Sequence, residues 1–189
     1  MGKTIKNKKT YSLNDYNSGD GMLTSVWGPG MWHSLHTISF NYPINPTKND
    51  KRNYRDYILN MKYILPCGKC RNNLRDNFKK LPLKMKHMEN RETFSRYVYE
   101  LHELINTMLG KKSGLSYNDV RERYEDFRAR CTISLKEVNP KRKTHKKKEN
   151  GCTEPLYGEK SKCILKIIPN TTKEDTFQID EKCVKKVIE

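Results

Sequence analysis

The chain has 189 residues, of which 34% are hydrophobic and 32% charged, and a formal net charge of +16. That length suits one compact domain of about 100–150 residues with appendages, and the thin apolar content excludes a core running from end to end, so a folded segment of roughly 110 residues is expected. No stretch approaches the ~18 apolar residues of a membrane span, and residues 1–20 lack the apolar run of a secretory signal, so a soluble protein made on cytosolic ribosomes is expected.

In chain order, residues 1–22 are polar and aperiodic and read as a disordered basic arm. A helix is expected over 23–40, where Trp32, Leu35, His36 and Ser39, and Met31, Leu35 and Ile38, recur at helical spacing. Thr24 or Ser25 would cap it, and Pro43 and Pro46, with Asn41 and Asn45, end it. Tyr54, Tyr57, Ile58, Met61, Ile64 and Leu65 give a second amphipathic helix over 50–65, stopped by Pro66. A third begins around Cys67 and carries Leu74 and Phe78. The clearest helix covers 90–109: Phe94, Val98, Leu101, Ile105 and Met108/Leu109 line one face, Asn90 caps it, and Gly110 follows its last turn. Asn118 would cap a short charged helix with Val120, Tyr124 and Phe127.

The sum is an all-α architecture: a four-helix bundle plus a short fifth helix over 23–130. A basic linker covers 131–150. Residues 151–189 form a small irregular or β-containing extension, with Ile164–Ile168 and Thr176–Ile179 as candidate strands. The positive charge is concentrated at Lys3, Lys6, Lys8 and Lys9 and in Lys141-Arg142-Lys143-Thr144-His145-Lys146-Lys147-Lys148, a pattern of solvated tails. No base-reading motif accompanies the basic run, so nucleic acid ranks last among the partners.

Six cysteines in such a chain point to redox or metal chemistry before a secreted disulfide scaffold. In Cys67-Gly68-Lys69-Cys70 two cysteines at a helix start can close a small disulfide. The helix N-terminus there, with Lys69 and Arg71 beside it, favours a thiolate and fast exchange. Half a zinc site is the competing reading, but structural zinc takes four ligands, and no second close pair exists; His87 and His102 are unmatched. A thioredoxin-like setting needs alternating strands and helices, whereas this region reads helix after helix. Cys131, Cys152, Cys163 and Cys183 suffice for two bridges; they either staple a module with little core of its own or relay electrons to Cys67.

Trp32 and His36 are four residues apart on one helix, and His102 and Asn106 four apart on another. Flat groups and hydrogen-bonding edges on two facing helices suit a planar heteroaromatic cofactor.

The ordered set Trp27-Gly28-Pro29-Gly30-Met31-Trp32-His33-Ser34-Leu35-His36, Tyr42-Pro43, Cys67-Gly68-Lys69-Cys70-Arg71, Leu81-Pro82, Leu101-His102-Glu103-Leu104-Ile105-Asn106, Leu109-Gly110-Lys111 and Val120-Arg121-Glu122-Arg123-Tyr124 resembles the Erv/ALR FAD-linked sulfhydryl oxidases over roughly residues 24–128. The resemblance implies a thiol oxidase that forms disulfides in protein substrates and passes electrons through FAD to oxygen, giving hydrogen peroxide. Cys67 would be the outer sulfur attacked by substrate and Cys70 the sulfur facing the flavin. Gly28, Trp32, His36, Tyr42, His102, Asn106, Lys111, Arg123 and Tyr124 would hold the cofactor. It further implies a homodimer through the first helices, and a place in a host cytoplasm or virion, since compact members occur in large DNA viruses, or else the mitochondrial intermembrane space. Two departures stand out. Glu103 occupies a position where the family generally has Asn, and a structural bridge between the fourth helix and the segment after it is missing, with Tyr99 and Tyr117 near those positions. Without flavin the same cysteines would make a thiol–disulfide exchange protein.

Overall fold

Side-chain caps start most helices of the protein. In the computed structural model, which describes residues 12–131, 152–175 and 177–186, Thr47 opens a helix by accepting from the Asp50 N–H while the Asp50 carboxylate accepts from the Thr47 N–H. Ser12, Asn90 and Ser116 do the same for three others. The elements are α1 (Leu13–Tyr16), α2 (Thr24–Phe40), α3 (Lys48–Ile64), α4 (Gly68–Lys80), α5 (Arg91–Met108) and α6 (Tyr117–Glu125), with 3-10 turns at Met85–Met88 and Glu181–Cys183. The expected all-α bundle of four helices and a short fifth corresponds to α2–α6.

Several local expectations are corrected. Residue 116, not Asn118, caps α6: the Ser116 hydroxyl accepts from Asp119 N–H at 3.2 Å, and Asn118 lies inside the helix. Neither Thr24 nor Ser25 caps α2, whose N-cap position is Leu23 with no side-chain hydrogen bond. Residues 12–22, assigned to a disordered arm, include α1 and pair with the bundle through Met22 N–H donating to Pro66 O at 2.7 Å. Ile164–Ile168 is irregular, and among the described residues the extension makes only an isolated antiparallel bridge, Ala129 with Pro155. The strand expected at Thr176–Ile179, the arm up to residue 11 and the run Lys141–Lys148 fall wholly or partly outside the described residues.

α5 packs along α2, α3 against α4, and α6 closes on α2 and α5. Leu35, Ile58, Met61, Leu74, Phe94, Tyr97, Val98 and Leu101 form the main core, and Phe40, Tyr117, Val120 and Tyr124 a second one beneath α6. On α3 the buried stripe is Ile58 and Met61, continued by Leu65 just past its end, whereas Tyr57 and Ile64, seven residues apart on the neighbouring face, are exposed. Gly110 has φ +68, the left-handed conformation that ends α5. No described helix is long and apolar enough to cross a membrane.

The missing bridge between α5 and α6 is replaced by rings. Tyr99 and Tyr117 meet edge to face at 5.9 Å. Tyr99 donates to Leu115 O at 2.8 Å, Tyr117 and Ser95 share a hydrogen bond at 2.9 Å, and Arg96 lies 4.0 Å from the centre of the Tyr117 ring.

Phe94 is the fully buried joint between these elements, touching Tyr42 and Tyr54 ring to ring. Phe94→Ala is expected to cost about 3–5 kcal/mol through lost contacts and the cavity left behind, read as a drop in the chemical-denaturation midpoint.

Candidate active site

α3 stops where Pro66 denies it a further N–H, and the chain turns into α4 at Cys67. Cys67 is the N-cap of α4, and its Sγ accepts from the Cys70 backbone N–H at 3.2 Å. Cys67 and Cys70 are joined by a disulfide, their Cα atoms 5.1 Å apart. Both sulfurs therefore sit at the positive end of α4, where negative charge is favoured. The Arg71 guanidinium donates to Leu65 O and closes the turn that leads into α4. Thr24, which sequence reasoning considered only as a cap, places its hydroxyl 3.4 Å from Cys70 Sγ. Nothing in the spacing signals that contact, because it joins residues 46 apart in sequence.

From Thr24, α2 carries the site inward. Trp32 stacks on His102 of α5 with ring centres 3.8 Å apart and planes 6° from parallel. His36 Nε2 and His102 Nδ1 share a hydrogen bond at 3.0 Å. Tyr124 of α6 joins the cluster, 5.3 Å from the His36 ring, with its hydroxyl 3.3 Å from His33 Nδ1. Trp32, His36, His102 and Tyr124 are thus brought together from three helices. His33 belongs with them; its place next to Trp32 and one turn before His36 on α2 is the only signal of this in the sequence.

The cluster is uncharged at neutral pH. Burial, reinforced by the charges His102 and His33 would carry, lowers the His36 pKa to about 3. Burial lowers that of His102 to about 4, Glu103 opposing and Lys111 adding to the shift. Burial also raises the Tyr124 hydroxyl to about 12. Neutral imidazoles each offer one donor and one acceptor.

The remaining expected residues divide. Asn106 donates to Glu103 Oε1 at 3.0 Å, so the departure at Glu103 is engaged with the residue it would displace as a partner. Lys111 is exposed just past the α5 stop, close enough for its charge to act on His102. Arg123 is half-buried on α6. Gly28 is buried in α2, and an added Cβ there would meet only Thr24 Cγ2, at 3.6 Å, so the bundle itself does not demand glycine. Tyr42 stands apart from the cluster: fully buried, it donates to Met88 O at 3.0 Å and packs on Tyr54 and Phe94.

Of the other cysteines, Cys131 and Cys152 are bridged, whereas Cys163 and Cys183 are free thiols. The first pair ties the extension to the segment after α6.

His36 Nδ1 is buried and has no hydrogen-bond partner among the described residues. An orphaned buried ring nitrogen costs free energy unless a ligand satisfies it. With parallel rings beside it and the cations Lys111 and Arg123 at its margin, the donor set fits an elongated cofactor with a flat heteroaromatic part and an anionic part.

The family model described as "Erv1 / Alr family" matches residues 29–125. A protein of Acanthamoeba polyphaga mimivirus, "Probable FAD-linked sulfhydryl oxidase R368", is 36% identical over 104 residues, 55% of this chain and 72% of that protein. The "FAD-linked sulfhydryl oxidase" of African swine fever virus (isolate Warthog/Namibia/Wart80/1980) is 30% identical over 99 residues, 52% of this chain and 80% of that one. Among solved structures, the "FAD binding domain of Erv1 from Saccharomyces cerevisiae" superposes with a TM-score of 0.50 at 25% identity, covering 56% of this chain and 96% of that one. With half of its length matched by that model, and with the Cys67–Cys70 disulfide and the ring cluster in the matched segment, the chain belongs to the Erv1/Alr family.

Proposed function

We propose that the chain is an FAD-linked sulfhydryl oxidase that makes disulfides in protein substrates at the Cys67–Cys70 pair. One observation carries this reading: α2 joins a disulfide to a ring cluster. It starts with Thr24 against Cys70 and, eight residues or roughly 12 Å further, presents Trp32 and then His36 to His102. Cofactor and sulfur chemistry thus share one helix.

The half-reaction follows from the sulfur geometry. A substrate thiolate attacks Cys67 Sγ, the Cys67–Cys70 bond breaks, and Cys70 leaves as a thiolate. The Thr24 hydroxyl and the α4 N-terminus stabilise that charge as it develops. A second substrate thiolate then attacks the substrate sulfur of the mixed disulfide and releases Cys67, whose Sγ holds the Cys70 N–H. The substrate dithiol has lost two electrons and two protons, and Cys67 and Cys70 hold the electrons. Trp32, His36, His102, Asn106, Lys111, Arg123 and Tyr124 would hold FAD, with Gly28 beneath. When bound, FAD supplies the two-electron acceptor that returns the pair to its disulfide, with oxygen as final acceptor and hydrogen peroxide as product. Residues 23–130 are the catalytic domain in this reading.

Exposed Tyr57 and Ile64 on one face of α3 support a homodimer through that face. Sedimentation is expected to give a dimer, and Ile64→Glu a monomer.

The purified protein is expected to be yellow, absorbing near ~450 nm as oxidised flavins do. Cys70→Ser should keep the colour and lose dithiol oxidation and oxygen uptake; turnover at the wild-type rate would sink the assignment. A colourless wild type that still exchanges disulfides would favour the flavin-free alternative.

Buried His36 and half-buried His102 set a pH dependence. Unfolded histidine titrates near ~6.5, whereas folded His36 and His102 titrate at about 3 and about 4. Between pH 6.5 and 4 the unfolded chain takes up protons that the folded one refuses, so stability falls as pH falls, by at most ~1.4 kcal/mol per pH unit for each histidine. Below 4 only His36 continues the loss. Denaturation of flavin-free protein between about pH 7 and 5, above the carboxylate range, should show this slope, and His102→Asn should flatten it.

A further inference from the structure

The segment matched by the family ends at residue 125, yet the chain after it returns to the ring cluster. Three contacts bring it back. Residues 128–130 and 154–156 pair, with Leu156 N–H donating to Arg128 O at 2.7 Å and Arg130 N–H to Glu154 O at 2.9 Å; the Arg130 guanidinium also donates to Pro155 O at 3.1 Å and Leu156 O at 2.8 Å. The Cys131–Cys152 disulfide staples this junction. Near the far end, Lys185 N–H donates to Asp126 Oδ1 at 2.9 Å. The extension is therefore a strap fastened at two places to the segment following α6.

Between those fastenings lies Phe177. Its ring stacks on Tyr124 at 6.2 Å and 16°, meets Phe127 edge to face at 5.9 Å, and lies 5.3 Å from His33. The Arg123 guanidinium sits 5.3 Å from its centre. Phe177 thus touches two of the residues that would hold the cofactor and the histidine bonded to one of them. Long irregular segments do not stay folded on apolar burial alone. This one is shaped by Gly158, at φ +62, where a Cβ would lie 2.6 Å from the Cys183 carbonyl, while Glu159 N–H donates to Lys182 O at 2.7 Å. That local closure folds the strap back on itself either side of Phe177.

We infer that Phe177 is a positioning residue of the cofactor site, delivered by the strap: it clamps Tyr124 and Arg123 in the arrangement that retains FAD. The inference rests on the flavin reading above. Phe177 makes no contact with the Cys67–Cys70 sulfurs and takes no part in the exchange, so its effect is on retention of the cofactor. Reduction of the Cys131–Cys152 bridge weakens the same clamp by loosening one fastening.

The test uses the full-length, FAD-loaded protein. Release of FAD on dilution is followed by the recovery of free-flavin fluorescence, beside the melting temperature of the flavin-free protein. Phe177→Ala should release FAD about 5- to 30-fold faster, the scale that one aromatic and one cation–π contact set together. Phe177→Tyr should restore slow release. The flavin-free melting temperature should stay within about a degree or two of wild type, because a ring closing a ligand site adds little to the bundle. Gly158→Ala, which blocks the strap's closure without touching the bundle, should release FAD faster as well, and Cys131→Ser/Cys152→Ser should do so to a smaller extent. Unchanged or slower release from both Phe177→Ala and Gly158→Ala overturns the inference. So does faster release accompanied by an equal loss of flavin-free stability in Phe177→Ala, since that marks a packing residue. A wild-type protein that carries no flavin refutes the proposed function instead, so the two failures are distinguishable.

Discussion

The hydrogen bond between His36 and His102 is the constraint on which the site depends. It joins buried His36 of α2 to half-buried His102 of α5, and it forms only while at least one ring is neutral. Two charged imidazoles 3.0 Å apart would repel, and burial already disfavours either charge. The pair therefore fixes both the distance between the two helices and the chemical character of the space between them: neutral, aromatic and holding a buried nitrogen, His36 Nδ1, with no partner among the described residues. Everything nearer the surface is arranged around that choice. Trp32 lies flat on His102, Tyr124 roofs His36, and the cations Lys111 and Arg123 stay at the margin, where solvation is cheap.

The chain also shows how a bundle tolerates the absence of a covalent staple. Tyr99 and Tyr117 occupy the join between α5 and α6, and each hydroxyl has a partner, so neither ring buries an unmet polar group. A stacked guanidinium on Tyr117 adds a further contact. The disulfide that the described residues do contain outside the redox pair lies later, at Cys131–Cys152, and fastens the extension rather than the bundle. Crosslinking has been placed on the part of the chain that has least core of its own, which is where restricting the unfolded ensemble has most effect relative to packing.

The bundle was legible because its helices follow a 3.6-residue period and end in recognisable ways: Asn90 before α5, Gly110 after it, Pro66 between α3 and α4. The redox pair was legible from its spacing, and Trp32, His36 and His102 from their intervals together with the ordered resemblance. What stayed hidden depends on contacts between distant residues. Thr24 read as a cap because a threonine at a helix start usually is one, yet its hydroxyl faces Cys70 across the fold. Asn118 reads as a cap because asparagine often is one, yet Ser116, two positions earlier, takes that role by accepting from the Asp119 N–H. Tyr42 carried the family pattern but sits where its hydroxyl meets Met88, a pairing no local pattern encodes. Ile164–Ile168 has strand composition, yet a strand needs a partner edge, and the chain offers it none among the described residues.

The geometry of α2 separates two properties that are often discussed together. At its first turn Thr24 faces the Cys70 sulfur; three turns later His33 and His36 face the aromatic cluster that α6 and the extension cover. A change at the N-terminal end acts on sulfur charge, and a change at the far end acts on the enclosure of the ring cluster. The intervening turns, with Gly28 buried in the bundle, transmit position but carry no titrating group. Among the described residues the extension reaches the far end, where Phe177 lies beside His33 and Tyr124, so the cover over the ring cluster is set apart from the sulfurs at the head of α4. That independence gives an appendage outside the family core room to change while the sulfurs at the head of α4 stay as they are.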